Sequence, residues 1–164
     1  MIREMYKSQD CFFCKVSSEL FLFENDYFYS MLDEYPVSPG HVLIVPKTHI
    51  VSLRELPSAQ GAAMIDIAQR TLSNLPVQTL REFYLNKATN SKDEKSKELC
   101  KTALDALDRC SDIEDFNLGI NDGSAAGQTI PHLHIHVMPR FANDGGAGIG
   151  GVRHIFSPRG DYKS

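Results

Sequence analysis

Gly127-Gln128-Thr129-Ile130-Pro131-His132-Leu133-His134-Ile135-His136-Val137-Met138-Pro139 is the stretch on which the reading of this chain turns. Three of the six histidines stand here in strict alternation, with Leu133, Ile135 and Val137 between and after them. An extended strand has a side-chain period of two, so this spacing predicts three imidazoles on one face and three aliphatic side chains on the other. Imidazole, with an ordinary pKa of about 6.5, is largely neutral yet protonatable near neutral pH, so a cluster of three points to metal, proton or nucleophile chemistry. A half-buried strand with polar residues facing solvent is the plainer alternative, and three rare residues in one register argue against it.

Working outward, Phe116-Asn117-Leu118-Gly119-Ile120 alternates apolar and non-apolar residues, and the polar turn from Asn121 to Gly127 delivers the chain into the histidine stretch. Two antiparallel central strands are expected. Downstream, Gly145, Gly146, Gly148, Gly150 and Gly151 follow a strand but precede no recognisable helix, which fails the context of a dinucleotide loop and suggests a flexible tail. Upstream, two short aromatic-rich runs, Glu19 to Glu24 and Tyr27 to Leu32, flank Asn25-Asp26 and predict a hairpin. Pro36, Pro39 and Gly40 interrupt the chain before a third strand, His41 to Val45. Ser58 is placed to cap a helix whose apolar positions Ala62, Ile65, Ala68 and Leu72 recur at three- and four-residue spacing up to Pro76. Asn86 to Lys97 is almost wholly polar and predicts a mobile loop, before Leu99, Ala103, Leu104, Ala106 and Leu107 restore an amphipathic pattern. Strands, then one or two covering helices, then strands, without βαβ alternation, argue for an α+β fold with a meandering antiparallel sheet of about five strands.

At 164 residues and 42% hydrophobic content the chain fits a single domain, 1–164, with a real core. A net charge of −4 argues against binding a nucleic-acid backbone while leaving a small nucleotide open. No apolar run of about 18 residues is present and no signal-like start, so no membrane association and a cytoplasmic location are expected. In a reducing compartment the close pair Cys11 and Cys14 reads as metal or redox chemistry, and Cys100 and Cys110 as helix residues.

The order His-apolar-His-apolar-His-apolar-apolar from His132 to Met138 resembles the histidine triad (HIT) superfamily of nucleotide hydrolases and transferases. The resemblance extends to Asn121-Asp122-Gly123, Gly127-Gln128-Thr129, Leu32-Asp33 and Pro39-Gly40-His41 through His49, and leaves out a segment at about 75–112. It implies that His134 attacks the α-phosphate and becomes nucleotidylated, with His136 beside the transferring phosphate and Asn121, Gly127, Gln128 and Thr129 around its oxygens or the leaving group. Uncharged amide and hydroxyl donors suit a spread anion. It further implies that Asp33 holds the ribose hydroxyls and that Phe12, Phe13, Val16 and Met31 line a purine pocket. His41 reads as a turn or packing histidine and is left without a role, as is His154.

Cys11, Cys14, His49 and His132 make a complete tetrahedral donor set for a structural zinc, as in one branch of the family, with a redox or buried thiol pair as the alternative. The activity implied is hydrolysis of dinucleoside polyphosphates such as diadenosine tetraphosphate. Pro139-Arg140 and Gly150-Gly151-Val152-Arg153 favour that branch over a nucleoside phosphoramidase, and a non-catalytic nucleotide- or zinc-binding module is the third reading. The expected partners are a small purine nucleotide and a second copy of the chain, in a homodimer whose sheet continues across both copies.

Overall fold

A computed structural model gives the architecture, and it describes residues 10–109, 113, 115–141, 144 and 151–152. Cys110, His154 and most of the glycine-rich tail, for which expectations were stated above, lie outside the described residues. Strands β1 (Phe21–Glu24), β2 (Phe28–Leu32), β3 (Val42–Pro46), β4 (Asp115–Gly119) and β5 (Ile135–Arg140) form one antiparallel sheet in the order β1-β2-β3-β5-β4. Helices α1 (Gly61–Ser73), α2 (Val77–Asn90) and α3 (Glu94–Leu107) fall between β3 and β4. The α+β class is as the pattern of elements predicts.

Every residue of β2 and β3 is buried because both faces of the sheet are covered. Phe28, Leu32, Val42, Ile44, Ile135 and Val137 face the helices, where they join Ile67, Leu80, Tyr84, Cys100 and Leu107. The residues between them, Tyr29, Met31, Leu43 and Val45, join Cys11 and Phe13 on the opposite face. Tyr29 stacks on Phe21 at 4.1 Å between ring centroids and donates a 2.7 Å hydrogen bond to the Phe13 carbonyl, which ties the short turn of helix at Phe13–Lys15 to the sheet.

Four sequence expectations need correction. Residues 86–97 are not a loop: they close α2, turn at Ser91-Lys92-Asp93 and open α3, where the Asp93 carboxylate caps the Ser96 amide at 2.9 Å. Small or hydroxylated residues, Ala88 and Ser96, fill buried positions there, so the apolar stripe that marks a helix is hidden in composition. The helices are therefore three. In α1 the inward residues are Ile67, Ala68 and Thr71, while Ile65 is 53% exposed. Thr71 is buried without cost to its hydroxyl, which donates to the Ile67 carbonyl at 2.8 Å. Ser58 opens a short 3-10 turn before α1 and makes no side-chain cap; the residue preceding α1, Gln60, makes none either. Finally β4 is an edge strand rather than a central one, since only β5 pairs with it.

The α2–α3 pair is thus part of the core rather than a removable insertion. Leu80→Ala, at a fully buried position of α2, should lower unfolding stability by about 2–5 kcal/mol. Leu85→Ala, on the exposed face of the same helix, should change it by less than about 0.5 kcal/mol. Equal midpoints for the two in urea titrations would contradict this packing.

Candidate active site and metal centre

Only His136 of the three alternating histidines lies inside the β5 ladder, which begins at Ile135. The ladder starts late because the preceding backbone is committed elsewhere. Pro131 has no N–H, the His132 amide turns back to the Ile130 carbonyl at 2.8 Å, and the Leu133 amide donates to Ile50 at 2.7 Å. The alternation still places the rings in a continuous row on one side. Ring centroids are 4.9 Å apart for His49 and His132, 5.0 Å for His134 and His136, and 5.2 Å for His136 and His41. Phe13 bridges the row, 5.7 Å from His132 and 5.2 Å from His134.

At one end of the row, Cys11, Cys14, His49 and His132 bring their donor atoms within 4.8 Å of one another. His132 Nδ1 is 3.3 Å from Cys11 Sγ and 3.6 Å from Cys14 Sγ, and His49 Nδ1 is 3.3 Å from Cys14 Sγ. Bond lengths of about 2.3 Å to sulfur and about 2.0 Å to nitrogen put the edges of a tetrahedral zinc shell near 3.5 Å, so the four residues fit the ion. His132 Nε2–H donates to the Pro46 carbonyl at 2.9 Å, which leaves the Nδ1 lone pair directed at the thiols, the arrangement of a ligand oriented by its outer hydrogen bond. Burial holds His132 down to about 4 and, with the neighbouring Cys11, raises Cys14 to about 11. The imidazole is therefore ready to coordinate, and the Cys14 thiol needs a cation to ionise near neutral pH.

The middle of the row has a different character. His134, 6% exposed, has its Nδ1 2.8 Å from the His132 carbonyl, so Nδ1–H is the donor of that contact and the ring orientation is fixed by it. Beyond it, His136 Nδ1 lies 3.0 Å from His41 Nε2, and His41 Nδ1 lies 3.3 Å from Asp33 Oδ2. Asp33 Oδ1 accepts the Tyr35 amide at 2.8 Å. Asp33, His41 and His136 thus form a chain of polar contacts, with the Val37 amide also donating to His41 Nδ1 at 3.4 Å, and it ends at His136 Nε2, a buried atom with no partner among the described residues. His136 is held down to about 4, first by burial and then by His41 and His134. Burial lowers His41 too, with Asp33 opposing. His41 is the site residue that sequence reasoning missed; its Pro-Gly context suggested a turn, and the only available signal was its place at the head of an inward-facing strand.

The other anticipated residues are placed as follows. Gln128 spans the loop before the histidines: its carbonyl accepts the Gly123 amide at 3.0 Å, and its amide donates to Val51 at 2.9 Å and to the His132 carbonyl at 3.4 Å. It braces the carbonyl that orients His134. Gly127 supplies the left-handed turn of this loop at φ +88°, Thr129 is exposed, and Asn121 is partly buried just beyond β4. Phe13 and Met31 are buried in the core beneath the row, whereas Phe12 is 50% exposed. A nearby cavity is lined by Leu20, Phe21, Met31, Leu32, Thr79 and Phe83, with the carboxylates of Glu19 and Glu34. Arg140 is engaged by Asp144 and Asn117. No helix among the described residues is long and apolar enough to cross a membrane.

The sheet, the histidine row and its flanking cysteines define a histidine triad domain. The HIT domain family model matches residues 15–143, and the chain belongs to that family. Adenylylsulfatase HINT3 of Arabidopsis thaliana is 37% identical over 139 residues, 82% of this chain and 54% of that protein, so this chain spans about half that relative's length. An AP-4-A phosphorylase of Mycobacterium tuberculosis is 26% identical over 71% of this chain and 44% of its own length. Among solved structures, a Zn-bound histidine triad family protein from Mycobacterium smegmatis has a TM-score of 0.54 at 28% identity, over 84% of this chain and 80% of that one. A HIT family protein from Bacillus anthracis has the same fold, with a TM-score of 0.55 at 23% identity over 85% and 80%.

Zinc should co-purify at about one equivalent per chain. Cys14→Ala should lose it and lower the melting temperature more than it lowers turnover; an unchanged melting temperature would count against a structural ion. Acid stability follows from His136. The unfolded chain takes up this proton as pH falls through about 6.5, the folded chain only near 4, so unfolding binds protons between those values. The penalty is absent above that window and grows as pH falls within it. Urea midpoints should drop from pH 6.5 towards 4, and less steeply for His136→Gln.

Proposed function

We propose that this chain is a nucleotide hydrolase that cleaves at an α-phosphate through a nucleotidyl-His134 intermediate. The observation that carries the reading is the 2.8 Å contact between His134 Nδ1 and the His132 carbonyl, which engages Nδ1 as a donor and leaves Nε2 as the nitrogen that can meet a phosphorus, on a nearly buried ring. A neutral nucleophile approaches a phosphorus bearing anionic oxygens without charge repulsion, and a fixed ring holds it in line. As the Nε2–P bond forms, the bond from phosphorus to the leaving group breaks. Water then attacks the same phosphorus, the P–N bond breaks and the nucleoside monophosphate leaves.

The leaving group takes a proton, and the Asp33–His41–His136 chain can supply one. With His41 Nε2–H donating to His136 Nδ1, the His136 Nε2–H faces the site; with the protons shifted, Nε2 is a bare acceptor. Once the chain has taken up one further proton, His136 Nε2–H gives a proton to the leaving group in the first step, and the bare Nε2 left behind takes one from the attacking water in the second, which returns the chain to its starting state. Asp33 stands close enough to this chain to hold a ribose and orient His41 in turn. Asn121 and Thr129 are placed as uncharged donors to the phosphoryl oxygens, and Met31 with its neighbouring cavity as a purine pocket. Zinc at Cys11, Cys14, His49 and His132 fills a closed shell with no open position, so its part is to pin the N-terminal turn and His132.

Dinucleoside polyphosphates of the diadenosine tetraphosphate type are the proposed substrates, in keeping with the AP-4-A phosphorylase relative. A second reading, adenylyl sulfate, is favoured by the higher identity to the Arabidopsis adenylylsulfatase. A phosphoramidate differs in the same way: all three substrates share the adenylyl group, and only the leaving group changes. A merely binding module does not require a histidine poised at Nε2. We place the chain in a homodimer, consistent with the exposed Ile65 of α1 and the unpaired edge of β4.

His134→Gly should retain nucleotide binding and lose turnover by orders of magnitude, beyond the roughly 10²- to 10⁴-fold typical of losing proton transfer alone. His136→Ala should be less severe. Quenching without acid, followed by intact-mass measurement of the wild-type chain during turnover, should show a mass increase of one nucleotidyl group. Its absence, with release slow enough to observe, excludes the covalent route.

A further inference from the structure

Residues 34–40 join Asp33, after β2, to His41, before β3, whose backbones are also tied by a 3.0 Å hydrogen bond from the Asp33 amide to the His41 carbonyl. Within the segment, the His41 amide donates to Ser38 at 3.1 Å and the Val37 amide approaches His41 Nδ1 at 3.4 Å. Its other holds come from the helical pair across the sheet. Tyr84, fully buried on α2, accepts a 2.7 Å hydrogen bond from the Gly40 amide. Ser96, fully buried on α3, donates to the Glu34 carbonyl at 2.8 Å, and Lys87 of α2 pairs with the Glu34 carboxylate. The Tyr35 hydroxyl donates to Asp93, the residue that caps α3, at 3.2 Å. Gly40 has φ +82°, and a Cβ there would lie 3.0 Å from Pro139 Cγ and 3.4 Å from Leu80 Cδ1, so the backbone has little room to shift.

We infer that the α2–α3 pair positions the two halves of the site separately: Tyr84, through Gly40, sets the His41 imidazole against His136, and Ser96, through Glu34, sets the Asp33 carboxylate. The inference rests on the proposed hydrolytic reading and adds two positioning residues to it, neither of which touches substrate. Removing the Tyr84 hydroxyl leaves a buried amide without a partner, and the backbone next to His41 relaxes to find one. Removing the Ser96 hydroxyl leaves the carbonyl next to Asp33 with only the weaker Cys100 thiol contact at 3.7 Å to hold it. The first change is felt where a proton moves, the second where a ribose is held.

The test uses the full chain with Tyr84→Phe, which keeps the ring in the core, and Ser96→Ala, with Lys87→Met as a second variant for the Glu34 end. Tyr84→Phe should lower kcat roughly tenfold, inside the roughly 10²-fold that an ångström of misplacement can cost, with AMP affinity changed less than about twofold. Ser96→Ala and Lys87→Met should weaken AMP binding, measured by calorimetry without turnover, roughly three- to tenfold, with kcat nearly unchanged. In a His41→Ala background Tyr84→Phe should add less than about twofold, because the group it positions is gone. The same factor in both backgrounds overturns the Tyr84 assignment. A fall in melting temperature with kcat and AMP affinity unchanged overturns both and leaves the helices as packing alone. The AMP arm needs no chemistry at His134, so it decides the Asp33 half even if no covalent intermediate forms.

Discussion

The His132 peptide carbonyl is where the candidate metal ligands and the rest of the histidine row meet. It takes the Nδ1 proton of His134 at 2.8 Å and the Gln128 amide at 3.4 Å, while the ring of the same residue turns Nδ1 towards two thiols and gives its Nε2 proton to Pro46. One residue thus fixes the tautomer of its neighbour with its backbone and faces the metal donors with its side chain. A carbonyl spent on a side chain cannot serve a strand ladder, which is why β5 starts three residues later than the histidine pattern begins. The local break in regular structure is what fixes the orientation of the His134 ring just ahead of the strand.

Burial does the rest of the electrostatic work. The rings of His132, His41 and His136 lie at or below the sheet surface with other imidazoles as neighbours, so protonation is disfavoured first by desolvation and then by like charge. Rings kept from protonating by burial offer lone pairs and N–H groups at fixed points without a full positive charge. Asp33 lies 3.3 Å from His41 Nδ1 and is separated from His136 by the His41 ring.

Much of this was legible in the sequence because it depends on short periods and rare residues. The two-residue alternation located the row, the Cys-x-x-Cys spacing located two metal donors, and the apolar runs before and after Asn25-Asp26 located the hairpin. What escaped was carried by residues whose environment contradicts their composition. Ser96 and Ala88 are core positions occupied by small side chains, Thr71 hides its hydroxyl in its own helix, and the Tyr84 hydroxyl is held in the core by an amide from a loop more than 40 residues away. His41 belongs to the same group. Its role is set by a partner across β3 and β5, 95 residues later in the chain, and nothing local to Pro39-Gly40-His41 encodes that distance.

The division of the molecule into two layers follows from these commitments. The face of the sheet that bears the histidines is filled by Cys11, Phe13, Tyr29 and Met31, short-range pieces that a metal could lock in place, whereas α1, α2 and α3 pack on the other face. Control of the row therefore has to come from behind, through the loops that connect the strands. The Asp33–His41 loop passes from one layer to the other, with its backbone polar groups satisfied by α2 and α3 and its terminal side chains delivered to the opposite face. Substitutions among the helices therefore reach Asp33 and His41 through the backbone of this loop, without touching the side chains of the row.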